Sequence, residues 1–253
     1  MTIGPAGDGS FLHELEATIR EELAEAEAAP QEEEAEALPI DQWQFDPEDA
    51  QRYEVGLRDL LGAVETLEDG SGQAGKVTAA EDRAVVVYEA SAPAELDQAR
   101  VLFRAFVTWH RQRHNADQDV IDRYFGITGF ERELAGLPGP YAPPAGRLLL
   151  AGCGGVAVGC AALRRIDDRS CEMKRMFVRP AAQGRGAGRA LGTELIRAAR
   201  AEGYSSMYLD TSTRQTEAMS LYRSLGFAEV EPYYETPLRD WLVFMRLDLA
   251  ASA

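Results

Sequence analysis

The sequence predicts an α/β fold preceded by an acidic, helix-patterned N-terminal extension. Two observations predict the α/β part. A strand-like segment (171–178) leads through Arg179-Pro180 into a glycine-rich loop and then a helix-patterned stretch. Strand-like and helix-patterned segments also alternate from residue 84 almost to the end of the chain. A third observation separates the extension. The formal charge is −16, yet residues 1–70 hold 20 Asp and Glu against 3 Arg (−17), while residues 71–253 balance at +1.

In the extension, Ser10 stands where an N-cap belongs, and Leu12, Leu15, Ile19 and Leu23 recur at three- and four-residue steps. That spacing predicts a glutamate-rich helix with a narrow apolar stripe. A second helix is predicted from Asp46-Pro47-Glu48-Asp49, with a cap, proline at the first position and acids in the first turn. Its stripe is Tyr53, Leu57, Leu60, Leu61, Val64 and Leu67. Between the two lies an acidic, low-complexity spacer (28–39), expected to be unfolded. The run 68–75, rich in Gly and Ser, reads as a flexible linker. The chain therefore divides into an extension (1–75) and a mixed α/β domain (76–253). The charge pattern allows the extension to be a solvated tail, to dock its second helix on the domain or on a second copy in a homodimer, or to occupy the cleft. Deleting residues 1–70 is expected to leave a folded domain.

The domain opens with a predicted strand over 84–90 and an amphipathic helix over 94–113, with Leu96, Ala99, Val101, Leu102, Phe103, Phe106 and Val107 inward. His110 and His114 are four apart on it, which is metal-ligand spacing. No His-Glu-x-x-His arrangement accompanies them, and Arg111 and Arg113 adjoin them, so no metal is expected. A second helical region spans 117–137, interrupted at Gly126 and Gly129. A proline-rich loop (138–144) then leads into the uncharged run 148–163, where Gly154-Gly155 reads as a hairpin turn. That run has 16 residues, too few to span a membrane as a helix.

The strand over 171–178 meets the loop Gln183-Gly184-Arg185-Gly186-Ala187-Gly188, after which Leu191, Leu195, Ile196 and Ala199 mark one face of a helix. Glycines let the backbone approach a ligand, and a helix start offers free N–H groups to a phosphate. The dinucleotide fingerprint fails here. Counted from Gly184 its sixth position is Arg189, and counted from Gly186 it is Leu191. Asp210, ending the next strand (206–210), stands where a ribose-binding acid would, but the preceding strand is too charged for a central parallel one. The triphosphate loop fails too, since Arg189-Ala190 replaces Lys-Ser/Thr. Downstream come Leu221-Tyr222-Arg223-Ser224-Leu225-Gly226-Phe227 and a closing strand over 241–249.

The loop, Gln183 to Gly188, and the later Leu-Tyr-x-x-x-Gly-Phe together resemble the GNAT family, the acetyl-CoA-dependent N-acetyltransferases, over residues 83–249. The resemblance implies a mixed, mostly antiparallel central sheet flanked by helices. It implies acetyl-CoA as cosubstrate, with its pyrophosphate on the backbone of Gly184, Arg185, Gly186, Ala187 and Gly188, near Gln183 and Arg189. Its pantetheine arm would pair with Met176, Phe177 and Val178 like an added strand. Tyr222 matches the tyrosine that gives a proton to the leaving sulfur; a phenol with a pKa near ~10 can do so at neutral pH. Glu172 matches a carboxylate that relays a proton from the amine. By alternation it is expected on one face with Lys174, Met176 and Val178, where Lys174 pairs with it and weakens it as a base. One departure is Gln215, where the family often carries Asn.

Two functions follow: an N-acetyltransferase acting on a primary amine of a small molecule, amino acid or protein, or a non-catalytic acetyl-CoA or CoA sensor. Acceptor choice is expected from 109–141 and 231–239, with Tyr233, Tyr234 and Glu235 as pocket candidates. The acidic extension argues against nucleic acid. Cys153, Cys160 and Cys171 lack ligand or disulfide spacing and suit buried positions in a reducing compartment. No basic-then-apolar segment opens the sequence, so a cytoplasmic protein without membrane partners is expected.

Overall fold

The structure, a computed structural model, describes residues 9–27, 47–68, 84–153 and 155–249. The spacer 28–39, the linker beyond residue 68 and Gly154 of the predicted hairpin turn lie outside the described residues.

Seven strands form one sheet: β1 (Val86–Glu89), β2 (Arg147–Cys153), β3 (Val156–Arg165), β4 (Ser170–Val178), β5 (Ser206–Ser212), β6 (Ala228–Val230) and β7 (Leu242–Asp248). Their order is β1-β2-β3-β4-β5-β7-β6, antiparallel throughout except for β4 beside β5. Seven helices are described: α1 (Gly9–Glu27), α2 (Pro47–Glu68), α3 (Pro93–Arg113), α4 (Gln118–Phe125), α5 (Ile127–Ala135), α6 (Ala187–Ala201) and α7 (Thr216–Ser224). The mixed, mostly antiparallel sheet expected from the sequence is present. The expected helical region 117–137 divides at Gly126, whose left-handed backbone (φ 54°) ends α4 and opens α5. Gly129, expected as a second break, sits inside α5.

Two apolar layers sandwich the sheet. On one face Leu191, Leu195, Ile196 and Ala199 of α6 pack on Cys171, Met173, Met207 and Leu209. On the other, Leu102 and Phe103 of α3 and Ile121 and Phe125 of α4 pack on Leu148, Leu150 and Phe177. All three cysteines are buried and none forms a disulfide.

The strand alternation expected along β4 is broken. Cys160 pairs with Phe177 and Ala162 with Lys174, so Arg175 and Met176 together oppose Ala161. This is a β-bulge, in which one extra residue reverses the in-out phase of everything beyond it. Arg175 takes it up with a left-handed backbone, φ 53°, unusual for a non-glycine residue. Met176 and Val178 therefore pack with Met173 and α6, whereas Lys174 meets Tyr124 and Asp210 on the opposite face. Glu172 keeps company with Lys174, not with Met176 and Val178.

Beside β5, β4 pairs only from Ser170 to Glu172. Beyond that point the two strands separate, and the β5-facing edge of β4 from Met173 onward has no strand on it.

The extension docks on the domain. Phe11, Leu15 and Ile19 of α1 and Leu57, Leu60, Leu61 and Val64 of α2 share a buried cluster with Val101, Cys153, Val156, Val158 and Ala182. Gly56 lets α2 approach α3: a Cβ there would lie 2.7 Å from Val101 Cγ2. Each fully buried aliphatic side chain of this kind contributes about 1.5–3 kcal/mol. One buried cluster thus joins the apolar stripes of α1 and α2 to the sheet and α3. α1 also reaches the loop ahead of α6. Arg179, fully buried, donates from Nη1 to Glu22 Oε1 at 2.5 Å. The Arg185 guanidinium carbon lies 3.8 Å from the Phe11 ring centroid.

Candidate active site

The separation of β4 from β5 opens a cavity of about 500 Å³. Met176, Phe177 and Val178 form one wall, and Gln183, Gly184, Gly186, Ala187, Gly188 and Arg189 line the end at α6. Phe106, Trp109 and Arg113 of α3 and Ala218, Leu221 and Tyr222 of α7 complete it. Nine of the ten predicted cofactor residues thus meet in one place. Arg185 does not line it, because its side chain stacks on Phe11.

The loop geometry suits an anion. Gly184 (φ 76°) and Gly186 (φ 88°) adopt left-handed backbones, and a Cβ on either would meet nothing within 4 Å. The turn thus needs glycine, and the space beside it is open. The first N–H of the helix to close on the chain is that of Ala190, which donates to Gly186 O at 2.9 Å. The N–H groups before it point the positive end of α6 at the cavity. Gln183 braces the turn by donating from Nε2 to Val178 O at 3.1 Å. A pyrophosphate fits on these amides, and an extended amide chain fits along the unpaired β4 edge.

A smaller cavity of about 40 Å³ continues from the first and shares Phe106, Met176, Gln215 and Tyr222 with it. It adds Lys174, Asp210, Tyr124 and His110. Tyr222 is the side chain common to both that carries a hydroxyl, and that hydroxyl has no hydrogen-bond partner among the described residues. Burial, reinforced by Asp210, pushes the Tyr222 phenol above its ordinary value. It therefore holds its proton across the neutral range.

Around Lys174 the polar groups form a closed network. Lys174 Nζ lies 2.9 Å from Asp210 Oδ2 and 3.5 Å from Glu172 Oε1. Tyr124 donates to Asp210 Oδ1, and Tyr233 donates to Glu172 Oε1 at 2.6 Å. Arg164 Nε closes on Glu172 Oε2 at 2.6 Å. Burial works to raise the Asp210 carboxyl, but Lys174 and the Tyr124 hydrogen bond hold it below its ordinary range. Glu172 is buried and lines neither cavity. Tyr234 is partly exposed and Glu235 is at the surface.

Asp210, Tyr124 and Trp109 are site residues that the motifs did not assign. Asp210 had a positional signal, at the end of a strand, whereas Tyr124 and Trp109 sit in helical stretches where an aromatic reads as core. His110 and His114 do not pair as ligands. Burial, His114 and Arg113 push the His110 imidazole down to about 3, leaving it neutral and a poor proton acceptor. Among the described residues no group of three or more His, Cys, Asp or Glu is placed to hold a metal ion, and no helix is long and apolar enough to cross a membrane.

Residues 104–227 match the family described as acetyltransferase (GNAT). An uncharacterised N-acetyltransferase of Schizosaccharomyces pombe is 42% identical over 120 residues, covering 47% of this chain and 73% of the relative. The IAA acetyltransferase of Azospirillum brasilense is 42% identical over 119 residues, covering 46% of this chain and 76% of that protein. The fold is shared with a GNAT-family acetyltransferase of Staphylococcus aureus, 19% identical with a TM-score of 0.51 over 66% of this chain and 99% of that one. The matched span runs from α3 through the β4 bulge and the glycine turn to Phe227, and so contains both sides of the Tyr222 cavity. This chain belongs to the GNAT family, whose general activity is acyl transfer dependent on acetyl-CoA.

Proposed function

We propose that the protein is an N-acetyltransferase that moves the acetyl group directly from acetyl-CoA to a primary amine, with Tyr222 as the acid. The observation that carries this is the placement of Tyr222 on the boundary between the two cavities. A thioester lying along the β4 edge and an amine entering from the Lys174 side both reach that hydroxyl.

Bound acetyl-CoA supplies an activated carbonyl carbon and a thiolate leaving group. The N-terminal amides of α6 hold the pyrophosphate, and the backbone of Met176, Phe177 and Val178 orients the thioester. Tyr222 Oη holds the proton that the departing sulfur takes as the carbon–sulfur bond breaks and the carbon–nitrogen bond forms. The amine nitrogen gives up a proton that returns to the Tyr222 oxygen, so Tyr222 ends protonated and the protons balance. A relay from that nitrogen to Glu172 has to pass through Lys174, because neither the carboxylate nor Tyr233 lines either cavity. Glu172 acts here by holding Tyr233, Lys174 and Arg164 in place.

Calorimetric titration with acetyl-CoA, followed by thiol release against a panel of amines, tests the reading. Binding with amine-dependent release supports it. Binding without release from any amine favours a CoA sensor instead.

Two further outcomes are expected. Gly186→Val forces a β-branched residue into a left-handed backbone, at about 1–3 kcal/mol. The dissociation constant for acetyl-CoA should rise by roughly 5–100-fold, read by calorimetry. The pH profile of thiol release should climb as the acceptor ammonium loses its proton. With the Tyr222 phenol held above ~10, no descending limb should appear below about pH 10.

A further inference from the structure

Past Tyr124, Lys174 and Arg175, which line the small cavity, a third cavity of about 280 Å³ opens to solvent. Its wall carries four cations, Arg123, Arg164, Lys174 and Arg175, and no carboxylate. The acids that neutralise this wall lie behind it. Lys174 is matched by Asp210 and Glu172, and Arg175 by Glu133. Arg164 meets Glu172 through Nε only, and its two Nη nitrogens have no hydrogen-bond partner among the described residues. Arg123, on the exposed side of α4, forms no ion pair among the described residues. Two guanidinium groups therefore keep free donors in a cavity that shares Tyr124, Lys174 and Arg175 with the cavity Tyr222 lines. Guanidinium forks match carboxylates in geometry and charge.

We propose that the acceptor is a small amino carboxylate, and that Arg123 and Arg164 bind its carboxylate while its amine enters the Lys174 cavity toward Tyr222. This rests on the N-acetyltransferase reading. The size of the cavity favours an amino-acid-sized molecule. The protein cations that remain unmatched exclude a second ammonium but suit an anion, and binding the carboxylate also fixes the distance at which the neighbouring amine is presented.

The test uses the full chain with matched pairs, the common L-amino acids and their carboxamides, which differ at the carboxyl group alone. The amine of the carboxamide is the less basic of the two, so chemistry by itself favours the amide. The proposal expects the reverse: for at least one amino acid, KM in thiol release at least tenfold below that of its carboxamide. Arg123→Gln should raise the KM of that amino acid about 10–100-fold, the effect of a charge-assisted hydrogen bond, and narrow the acid-to-amide ratio toward one. Arg123 has no partner to strand, so the variant should melt with the wild type.

Carboxamides used as well as or better than every acid would overturn the proposal, as would acetylation confined to peptides with an N-terminal Asp or Glu. No thiol release from any amine, with acetyl-CoA bound, would instead overturn the N-acetyltransferase reading. The pocket is then judged by calorimetry of the same pairs: acids binding and carboxamides not would sustain it, and equal or absent binding would sink it.

Discussion

Replacing Tyr222 with Phe is expected to lower kcat for thiol release by about 10²–10⁴-fold, the usual contribution of a positioned acid, while acetyl-CoA binds within about twofold of the wild type. The ring stays, so its edge contact with Phe227, at 6.0 Å between centroids, is kept. Only the hydroxyl is lost, and among the described residues it supports no other group. A fall in kcat with an unchanged dissociation constant is the signature of an interaction made in the transition state and not in the ground state. An unchanged kcat would remove Tyr222 from the chemistry. It would leave Lys174, beside Asp210, as the ammonium that lines the small cavity. Burial pulls the Lys174 ammonium down, but Asp210 and Glu172 more than offset this and hold it above its ordinary value. That makes it a weak donor, which is why the larger effect is expected at Tyr222.

Glu22→Ala is expected to destabilise the whole protein by about 3–5 kcal/mol, because it leaves the Arg179 charge buried without its partner. For a chain of this length that corresponds to a fall in Tm on the order of 10 °C, measured by calorimetry or circular dichroism. Arg179 is fully buried, and its Nε and Nη2 have no partner among the described residues, so Glu22 is its main compensation. Glu22→Gln keeps an acceptor oxygen and should lose less. Equal melting of all three proteins would mean that α1 is not held to the domain as the structure shows.

Much of the domain was legible because its signals are local. The uncharged run with its Gly154-Gly155 pair marked β2 and β3, the strand-like run before Arg179-Pro180 marked β4, and helical spacing of apolar residues marked α3 and α6. The glycine turn was legible for a stronger reason. Gly184 and Gly186 stand at left-handed positions that only glycine adopts freely, so the geometry is written in the residue type. The bulge at Arg175 is the opposite case. An arginine in a left-handed backbone leaves no mark in the sequence, and without it Glu172 and Met176 seem to share a face. The strand β6 is only three residues long (Ala228–Val230) and too short for any period to show.

The extension was legible in part. The stripes of α1 and α2 were visible, but an amphipathic stripe does not say what covers it. Arg179, followed by proline, read as the end of a strand. Nothing local signals that its guanidinium is enclosed by a glutamate 157 positions earlier in the chain. The cationic wall of the third cavity was scattered over α4, β3 and β4, and only the fold assembles it.

The bulge in β4 has a consequence for how this strand can change length. Because it inserts a single residue, it lets Lys174 and Phe177, three positions apart, share one face of the strand. Removing Arg175 alone would take out the extra residue and leave a regular ladder, with Lys174 and Phe177 still on one face and Met173, Met176 and Val178 on the other. Losing both Arg175 and Met176 would turn Phe177 and Val178 to the opposite layers, exchanging the linings on the two sides of the sheet at once. A single deletion at the bulge therefore spares the arrangement of the site, while a double one scrambles it.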